Sequence, residues 1–264
     1  MTQAIGIFDS GIGGLTVAKA VTELLPNESL IYFGDTAHLP YGDKSVKAIN
    51  QYALAISKFL LEKNCKMIVI ACNTASALAY SNLIEKIVKV PIINVIDPVV
   101  EHVASKKAPA KIGVIGTKGT ISSDIYGTKI KTANKQHQVY SLATPLLAPM
   151  IEAGFFDNTI SSTIIENYLS EPGFKDIDVL IPACTHYPLI KKDIEQYYQN
   201  KVEVLDAPKI VAQKVANTIQ ALNKANTGKK TNHHFYISDF TDSFEKTTKL
   251  FYQEAIHLEY CPLW

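Results

Sequence analysis

The sequence has no excess of charge of either sign. Lys and Arg number 26 and Asp and Glu number 25, so the 264 residues carry a net charge of only +1. Domains that bind nucleic acid are usually basic, with Lys and Arg gathered on one face. The balance of charges therefore argues against nucleic acid as a partner. The proportions of hydrophobic (47%) and charged (19%) residues are those of an ordinary globular chain.

Long apolar runs are missing as well. The longest, such as residues 68–71 and the interrupted run 91–100, fall far short of the about 20 residues that a membrane-spanning helix needs. The first ten residues contain no basic segment followed by an extended apolar one, which is the pattern of a secretory signal. We therefore expect no membrane partner and a cytoplasmic location.

Cysteine is scarce, and no two cysteines form a CxxC pair. The four residues stand far apart, at Cys65, Cys72, Cys184 and Cys261. In a reducing cytoplasm, isolated cysteines are expected to be free thiols rather than disulfide partners. His186 lies close to Cys184, but the paired short spacing of a structural zinc site is absent, so we predict no metal site.

The sequence alternates short apolar segments with longer segments of helical pattern. Such alternation is typical of βαβ units with a parallel sheet, and continuous apolarity indicates strands that are covered on both faces. The predicted strands are 4–10, 29–35, 66–72 and 233–240, and the predicted helices are 15–25, 46–63, 75–88, 210–224 and 243–257.

Two segments in the middle of the chain repeat earlier ones in the same order. KIGVIGTKGT (111–120) resembles the first strand with its glycine-rich turn, and VLIPACTHYP (179–188) resembles the strand MIVIAC. The offsets are 107 residues from Gly6 to Gly113 and 112 residues from Cys72 to Cys184. We predict an α/β fold of two pseudo-symmetric, three-layer α/β/α domains with mainly parallel sheets and an active site in the cleft between them. Residues 1–97 plus 208–264 would form the first domain and residues 98–207 the second.

Polar residues follow several of the predicted strands at the point where each strand ends. Asp9-Ser10, Asp35-Thr36 and Cys72-Asn73-Thr74 all occupy such positions. In open parallel sheets the binding crevice lies beyond the carboxyl ends of the strands, so we expect these turns to face one pocket. The turn DSGIGG lacks both the P-loop ending and the dinucleotide-binding spacing. It either holds a carboxylate at a helix N-terminus or is simply a tight turn.

Cys72 and Cys184 both end apolar strands and are both followed by polar residues that include Thr. Two thiols that face each other across a cleft could form a disulfide, bind a metal, supply one nucleophile with a spare, or act as two acid–base groups. Only the last possibility needs the symmetry, because one group removes a proton from one face of a carbon and the other returns a proton to the opposite face.

Each thiol would need assistance, because a free thiol with a pKa near 8.5 is only about 3% thiolate at pH 7. Asp9 could serve Cys72, and His186 and Glu152 could serve Cys184. A carbanion beside a carboxylate also needs preorganised donors to stabilise its charge. The donors available are the turn N–H groups and the side chains of Ser10, Asn73, Thr74 and Thr185.

Four ordered motifs resemble those of the glutamate racemases, in the aspartate/glutamate racemase superfamily: FDSGIGGLT, GDTAHLPYG, ACNTAS and CTHYPL, which begin at Phe8, Gly34, Ala71 and Cys184. The resemblance implies cofactor-independent interconversion of L- and D-glutamate, which supplies D-glutamate for peptidoglycan. It also implies two α/β domains with the site between them, in a homodimer.

The resemblance also assigns roles to individual positions. Cys72 matches the thiol that acts on the D-enantiomer and Cys184 the thiol that acts on the L-enantiomer. Asp9, Glu152 and His186 match auxiliary polar residues. The substrate-binding turns match Asp9-Ser10, Tyr41-Gly42, Asn73-Thr74 and Thr185-His186.

Three other functions stay open. An aspartate racemase would keep both thiols, although by resemblance an acidic residue would more often stand at the position of His186. A hydrolase would use Cys184 as nucleophile and His186 as base, and would tolerate Cys72→Ser. A non-catalytic regulator would bind glutamate without exchanging its α-proton.

Overall fold

Within residues 3–228, 231–240 and 242–264, which the computed structural model describes, ten strands form two sheets in which every pairing is parallel. The strands are β1 (Ile5–Asp9), β2 (Leu30–Gly34), β3 (Met67–Ile70), β4 (Ile92–Asn94), β5 (Lys111–Gly116), β6 (Gln138–Ala143), β7 (Val179–Ala183), β8 (Glu203–Val204), β9 (His233–Ile237) and β10 (Leu258–Tyr260). The first sheet has the order β10-β9-β2-β1-β3-β4, and the second has the order β6-β5-β7-β8.

Helices connect the strands as the alternation predicts. They are α1 (Leu15–Leu24), α2 (Val46–Glu62), α3 (Asn73–Leu78), α4 (Tyr80–Lys86), α5 (Ile96–Ala104), α6 (Lys118–Ser122), α7 (Ile125–Ala133), α8 (Leu147–Glu152), α9 (Thr159–Leu169), α10 (Lys191–Tyr197), α11 (Ala207–Ala221) and α12 (Asp242–Tyr252). None of the helices in the described part of the chain is long and apolar enough to span a membrane.

The internal repeat is visible in the topology. The order β2-β1-β3-β4 in the first sheet is matched by β6-β5-β7-β8 in the second, so β1 corresponds to β5 and β3 to β7. This confirms the α/β fold with parallel sheets. The exact domain boundaries, at 97/98 and 207/208, stay a prediction.

Strand β3 shows why the sheets are covered on both faces. Side chains alternate between the faces of a strand, and Val69 packs in one apolar cluster while Ile68 and Ile70 pack in another. Cys72, two residues beyond Ile70, belongs to the same cluster as Ile70. The thiol therefore continues one buried face of a rigid strand.

Several predicted element bounds differ from the structure. The helix predicted over 75–88 is divided into α3 and α4 at Ala79 and begins earlier, at Asn73, because the Cys72 sulfur caps it by accepting the N–H of Ala75. Helix α11 begins at Ala207 because Asp206 caps it and Pro208 suits its first turn. The late strand ends at Ile237, α12 ends at Tyr252, and β10 was not predicted.

Gly34, at the end of β2, allows the glycine-rich turn to lie against the sheet. A Cβ atom at this position would lie 2.3 Å from the carbonyl oxygen of Gly11, a backbone atom that cannot move aside. Tyr32 holds the same carbonyl, because its hydroxyl donates to the Gly11 oxygen at 2.8 Å. The position of the turn therefore depends on the absence of a side chain at residue 34.

We expect Gly34→Ala to lower the free energy of unfolding by about 1–3 kcal/mol, the usual effect of forcing extra volume into a packed site. Urea denaturation measures the change. Gly228→Ala is the matched control, because a Cβ at 228 would meet no atom within 4 Å. Equal stabilities of the two variants would contradict the proposed steric constraint.

Candidate active site

The carboxyl ends of β1, β3, β5 and β7 converge on one cavity of about 220 Å³. This volume is below the roughly 300–1,000 Å³ typical of sites for drug-sized ligands, so the cavity suits a small molecule. The predicted site residues that line it are Ser10, Tyr41, Gly42, Cys72, Asn73, Thr74, Glu152, Cys184, Thr185 and His186.

Asp9 lies behind the cavity wall instead of in it. Its Oδ2 accepts hydrogen bonds from the N–H groups of Gly11, at 3.2 Å, and Gly14, at 3.0 Å, while its Oδ1 is buried without a partner among the described residues. Burial raises the pKa of the Asp9 carboxyl, although the charge of His186 and the N–H groups of the turn act in the opposite direction. Asp9 therefore organises the glycine-rich turn and places a charge beneath the cavity.

Cys72 is held in a setting that keeps its proton in place. Burial and the nearby charge of Asp9 raise the pKa of the Cys72 thiol to about 12, against the smaller opposing effects of Ala75 and Ser10. Its sulfur accepts the Ala75 N–H at 3.4 Å and lies 3.6 Å from the Ser10 Oγ, to which it donates. At neutral pH, Cys72 is therefore arranged as a proton donor.

Cys184 has a different set of neighbours. Its sulfur lies 3.6 Å from Nδ1 of His186, and Nε2 of His186 lies 2.8 Å from Oε1 of Glu152. Burial lowers the pKa of His186, but the hydrogen bonds and charges of Cys184 and Glu152 outweigh burial and raise it to about 10. An imidazolium at this position can stabilise a thiolate on Cys184.

The glycine-rich turn brings the two halves of the chain together at His186. A Cβ atom at Gly13 would lie 2.5 Å from Cε1 of His186 and 2.6 Å from Oγ1 of Thr185. Nearby, the Thr16 hydroxyl donates to the Thr185 carbonyl at 3.0 Å. Gly13 is therefore required by the close approach of His186 and Thr185, a reason that neither interpretation of the turn contained.

Hydroxyl groups from both halves meet at the cavity. Oγ1 of Thr74 lies 2.9 Å from Oγ1 of Thr117 and 3.3 Å from Oγ1 of Thr120. Thr117 lines the cavity but was not among the predicted residues. The internal repeat could have predicted it, because the offset of 107 residues that relates Gly6 to Gly113 also makes Thr117 the equivalent of Ser10.

Asp35 and Thr36 do not line this cavity, contrary to the prediction from their position after a strand. Asp35 is fully buried, and its carboxylate accepts the hydroxyl of Tyr41 at 2.6 Å, the hydroxyl of Ser238 at 2.8 Å and the indole N–H of Trp264 at 3.3 Å. Asp35 therefore anchors the turn that carries Tyr41 and Gly42, and the Tyr41 hydroxyl points towards Asp35.

A larger cleft of about 610 Å³ lies elsewhere, beside His233, His234 and Tyr252. It is more open to solvent, and neither Cys72 nor Cys184 lines it. The smaller cavity combines enclosure, two thiols and converging donors, so it is the better candidate for chemistry. No cluster of three or more His, Cys, Asp or Glu side chains in the described ranges is arranged to hold a metal ion.

The chain is similar over most of its length to known proteins. A curated glutamate racemase from Geobacter metallireducens is 40% identical over 92% of this chain and 90% of the relative. The crystal structure of the glutamate racemase from Francisella tularensis in complex with D-glutamate is 38% identical, with a TM-score of 0.93 over 99% of this chain and 98% of that one. An aspartate racemase from Picrophilus torridus shares the fold alone, at 18% identity and a TM-score of 0.61, over 96% of this chain and 100% of that one.

A family model described as Asp/Glu/hydantoin racemase matches residues 14–215, a span that includes both thiols, His186 and Glu152. Together with the cavity built from two equivalent strand ends, this match shows that the chain belongs to the Asp/Glu/hydantoin racemase family.

Proposed function

We propose that this protein interconverts L- and D-glutamate without a cofactor, by proton transfer between the substrate and two thiols. The observation that carries the proposal is that Cys72 and Cys184 follow equivalent strands of the repeat and line the same small cavity. The relatives that are about 40% identical over nine-tenths of the chain are named glutamate racemases, which supports glutamate as the substrate.

In the direction from L- to D-glutamate, the Cys184 thiolate takes the α-proton, and the electron pair of the broken C–H bond stays on the α-carbon. The Cys72 thiol then gives its proton to the opposite face of that carbon. Its raised pKa favours the protonated form that this step requires. The reaction leaves a thiol at Cys184 and a thiolate at Cys72, the arrangement needed to act on D-glutamate.

His186 and Glu152 support the first of these steps. The imidazolium beside the Cys184 sulfur stabilises the thiolate, and the Glu152 carboxylate stabilises the imidazolium. General acid–base groups typically contribute a factor of about 10²–10⁴ each. The hydroxyl groups of Thr74 and Thr117 and the side chain of Asn73 provide donors for the substrate carboxylates.

One geometric feature favours a second candidate function. The Cys184–His186–Glu152 arrangement resembles the nucleophile, base and orienting group of a cysteine hydrolase. Such an enzyme would form an acyl intermediate on Cys184 and would have no use for a second thiol in the cavity. Its activity would therefore survive the loss of Cys72.

The setting of the reaction follows from the same proposal. D-Glutamate formed in the cytoplasm would supply peptidoglycan synthesis and thereby cell shape. The resemblance to the glutamate racemases also supports a homodimer, which sedimentation equilibrium of the purified protein would test.

We expect the metal-free protein to racemise L-glutamate without added pyridoxal phosphate. The variants Cys72→Ser and Cys184→Ser should each lower kcat at least about 100-fold, because each removes one acid–base group. Polarimetry measures the rate in both directions. Cys261→Ser, which replaces a cysteine remote from the cavity, is the control and should keep full activity.

Four outcomes would contradict this. Retention of activity by Cys72→Ser would favour the hydrolase. A kcat/KM for aspartate above that for glutamate would favour an aspartate racemase. Binding of glutamate without racemisation would favour a regulator, and a requirement for pyridoxal phosphate would exclude cofactor-free chemistry.

Asp9, which the sequence predicts to assist Cys72, instead helps to keep the proton on that thiol. Because the charge of Asp9 helps to raise the pKa of Cys72, Asp9→Asn should lower that pKa and increase the thiolate fraction at pH 8. A decrease of one pKa unit gives about tenfold more thiolate. Iodoacetamide should therefore alkylate Cys72 severalfold faster in the variant, as measured by peptide mass spectrometry.

Cys65 is an internal control for this experiment. Burial alone raises its pKa to about 12, without a contribution from Asp9, so its alkylation rate should not change. Slower alkylation of Cys72 in Asp9→Asn would show instead that Asp9 promotes the thiolate.

A further inference from the structure

Asn73 lines the cavity with a side chain that could bind a substrate in two opposite ways. One end of its amide is a hydrogen-bond acceptor and the other is a double donor. A carboxylate is bound only by the donor end. Asn73 can therefore bind a substrate carboxylate only if the donor end of its amide faces the substrate.

The structure contains a partner for the other end. The hydroxyl of Tyr126, on α7, donates to Oδ1 of Asn73 at 2.8 Å. Tyr126 is buried, and burial, together with the charges of Asp97 and Cys184, raises its pKa, so the hydroxyl keeps its proton. Within residues 3–228, 231–240 and 242–264 the structure gives this hydroxyl no other acceptor, so a reversed amide would leave a buried O–H unpaired.

Helix α7 is itself held in place beside the cavity. Lys129, one turn after Tyr126, forms an ion pair with Asp97 at 2.7 Å, and the other oxygen of Asp97 accepts the side-chain amide of Asn94 at 2.8 Å. Residues three apart are neighbours on a helix surface, so this ion pair fixes the part of α7 that carries Tyr126. A helix after β5 in the second sheet thus contacts a residue that follows β3 in the first.

We propose that Tyr126 is a positioning residue, which holds the Asn73 amide with its Oδ1 away from the cavity and its Nδ2 directed at a substrate carboxylate. The inference rests on the proposed function, because it takes an amino-acid carboxylate as the ligand. Tyr126 itself touches no reacting atom. Its effect is to orient the Asn73 amide for carboxylate binding, without taking part in proton transfer.

Tyr126→Phe tests this directly. Loss of the hydrogen bond frees the amide to reverse, so the KM for both enantiomers of glutamate should rise about fivefold, the factor expected from one hydrogen bond. The kcat should stay within twofold, because both thiols and His186 are untouched. Tyr198→Phe is the matched control, since it removes a buried hydroxyl that donates to the Phe174 carbonyl, away from the cavity; its KM should equal that of the wild type.

A double-mutant cycle separates positioning from a general structural effect. If Tyr126 acts through Asn73, Tyr126→Phe should raise KM in the wild-type background but not in an Asn73→Ala background. An equal rise in both backgrounds would overturn the proposal, as would an unchanged KM in the single variant. The wild type is measured in the same assay. If it racemises glutamate, either of these results counts against the role of Tyr126 and not against the proposed function.

Asn73→Asp tests the donor end without disturbing Tyr126. An aspartate can still accept the Tyr126 hydroxyl but has no N–H to offer a carboxylate, so KM should rise more than tenfold while the melting temperature stays near that of the wild type. This variant keeps the proposal testable if Tyr126→Phe does not fold. A KM within twofold of the wild type in Asn73→Asp would overturn it.

Discussion

Both thiols reach the cavity because the strands that carry them end at it. Strands β3 and β7 occupy equivalent places in two sheets of the same order, and each is buried on both faces along its length. A buried parallel strand has little freedom to move, so the side chain that follows it is aimed with precision. Inversion at a carbon atom needs two groups on opposite faces, and a repeated βαβ unit supplies two such strand ends.

The repeat provides two thiols, but their surroundings make them unequal. Burial and the charge of Asp9 keep the proton on Cys72, whose sulfur has the Ser10 hydroxyl and the Ala75 N–H as hydrogen-bond partners. Cys184 lies beside His186, whose positive charge is supported by Glu152. The two sides of the cavity therefore differ, because one thiol is held in its protonated form and the other has an imidazolium as its neighbour.

The strand ends could be read from the sequence because they depend on local pattern. An apolar run followed by small polar residues predicts that Cys72 and Cys184 line the cavity. The offset of the internal repeat also predicts Thr117 as a lining residue. The roles of Asp35 and Tyr126 could not be predicted, because they depend on tertiary contacts between residues far apart in the chain, such as the bond from Tyr126 to Asn73. Element ends were missed for a similar reason, since caps and short edge strands such as β10 carry a weak periodic signal.

Under the proposed mechanism, two separate acid–base groups act on opposite faces of one carbon. The most direct measurement is the deuterium content of both enantiomers early in the reaction of L-glutamate in D₂O, followed by NMR. If two thiols act in this way, newly formed D-glutamate carries deuterium at the α-carbon while the remaining L-glutamate still carries hydrogen. The two-thiol mechanism would be contradicted if deuterium appeared at equal rates in the remaining L-glutamate and in the product. It would also be contradicted if the product contained no deuterium.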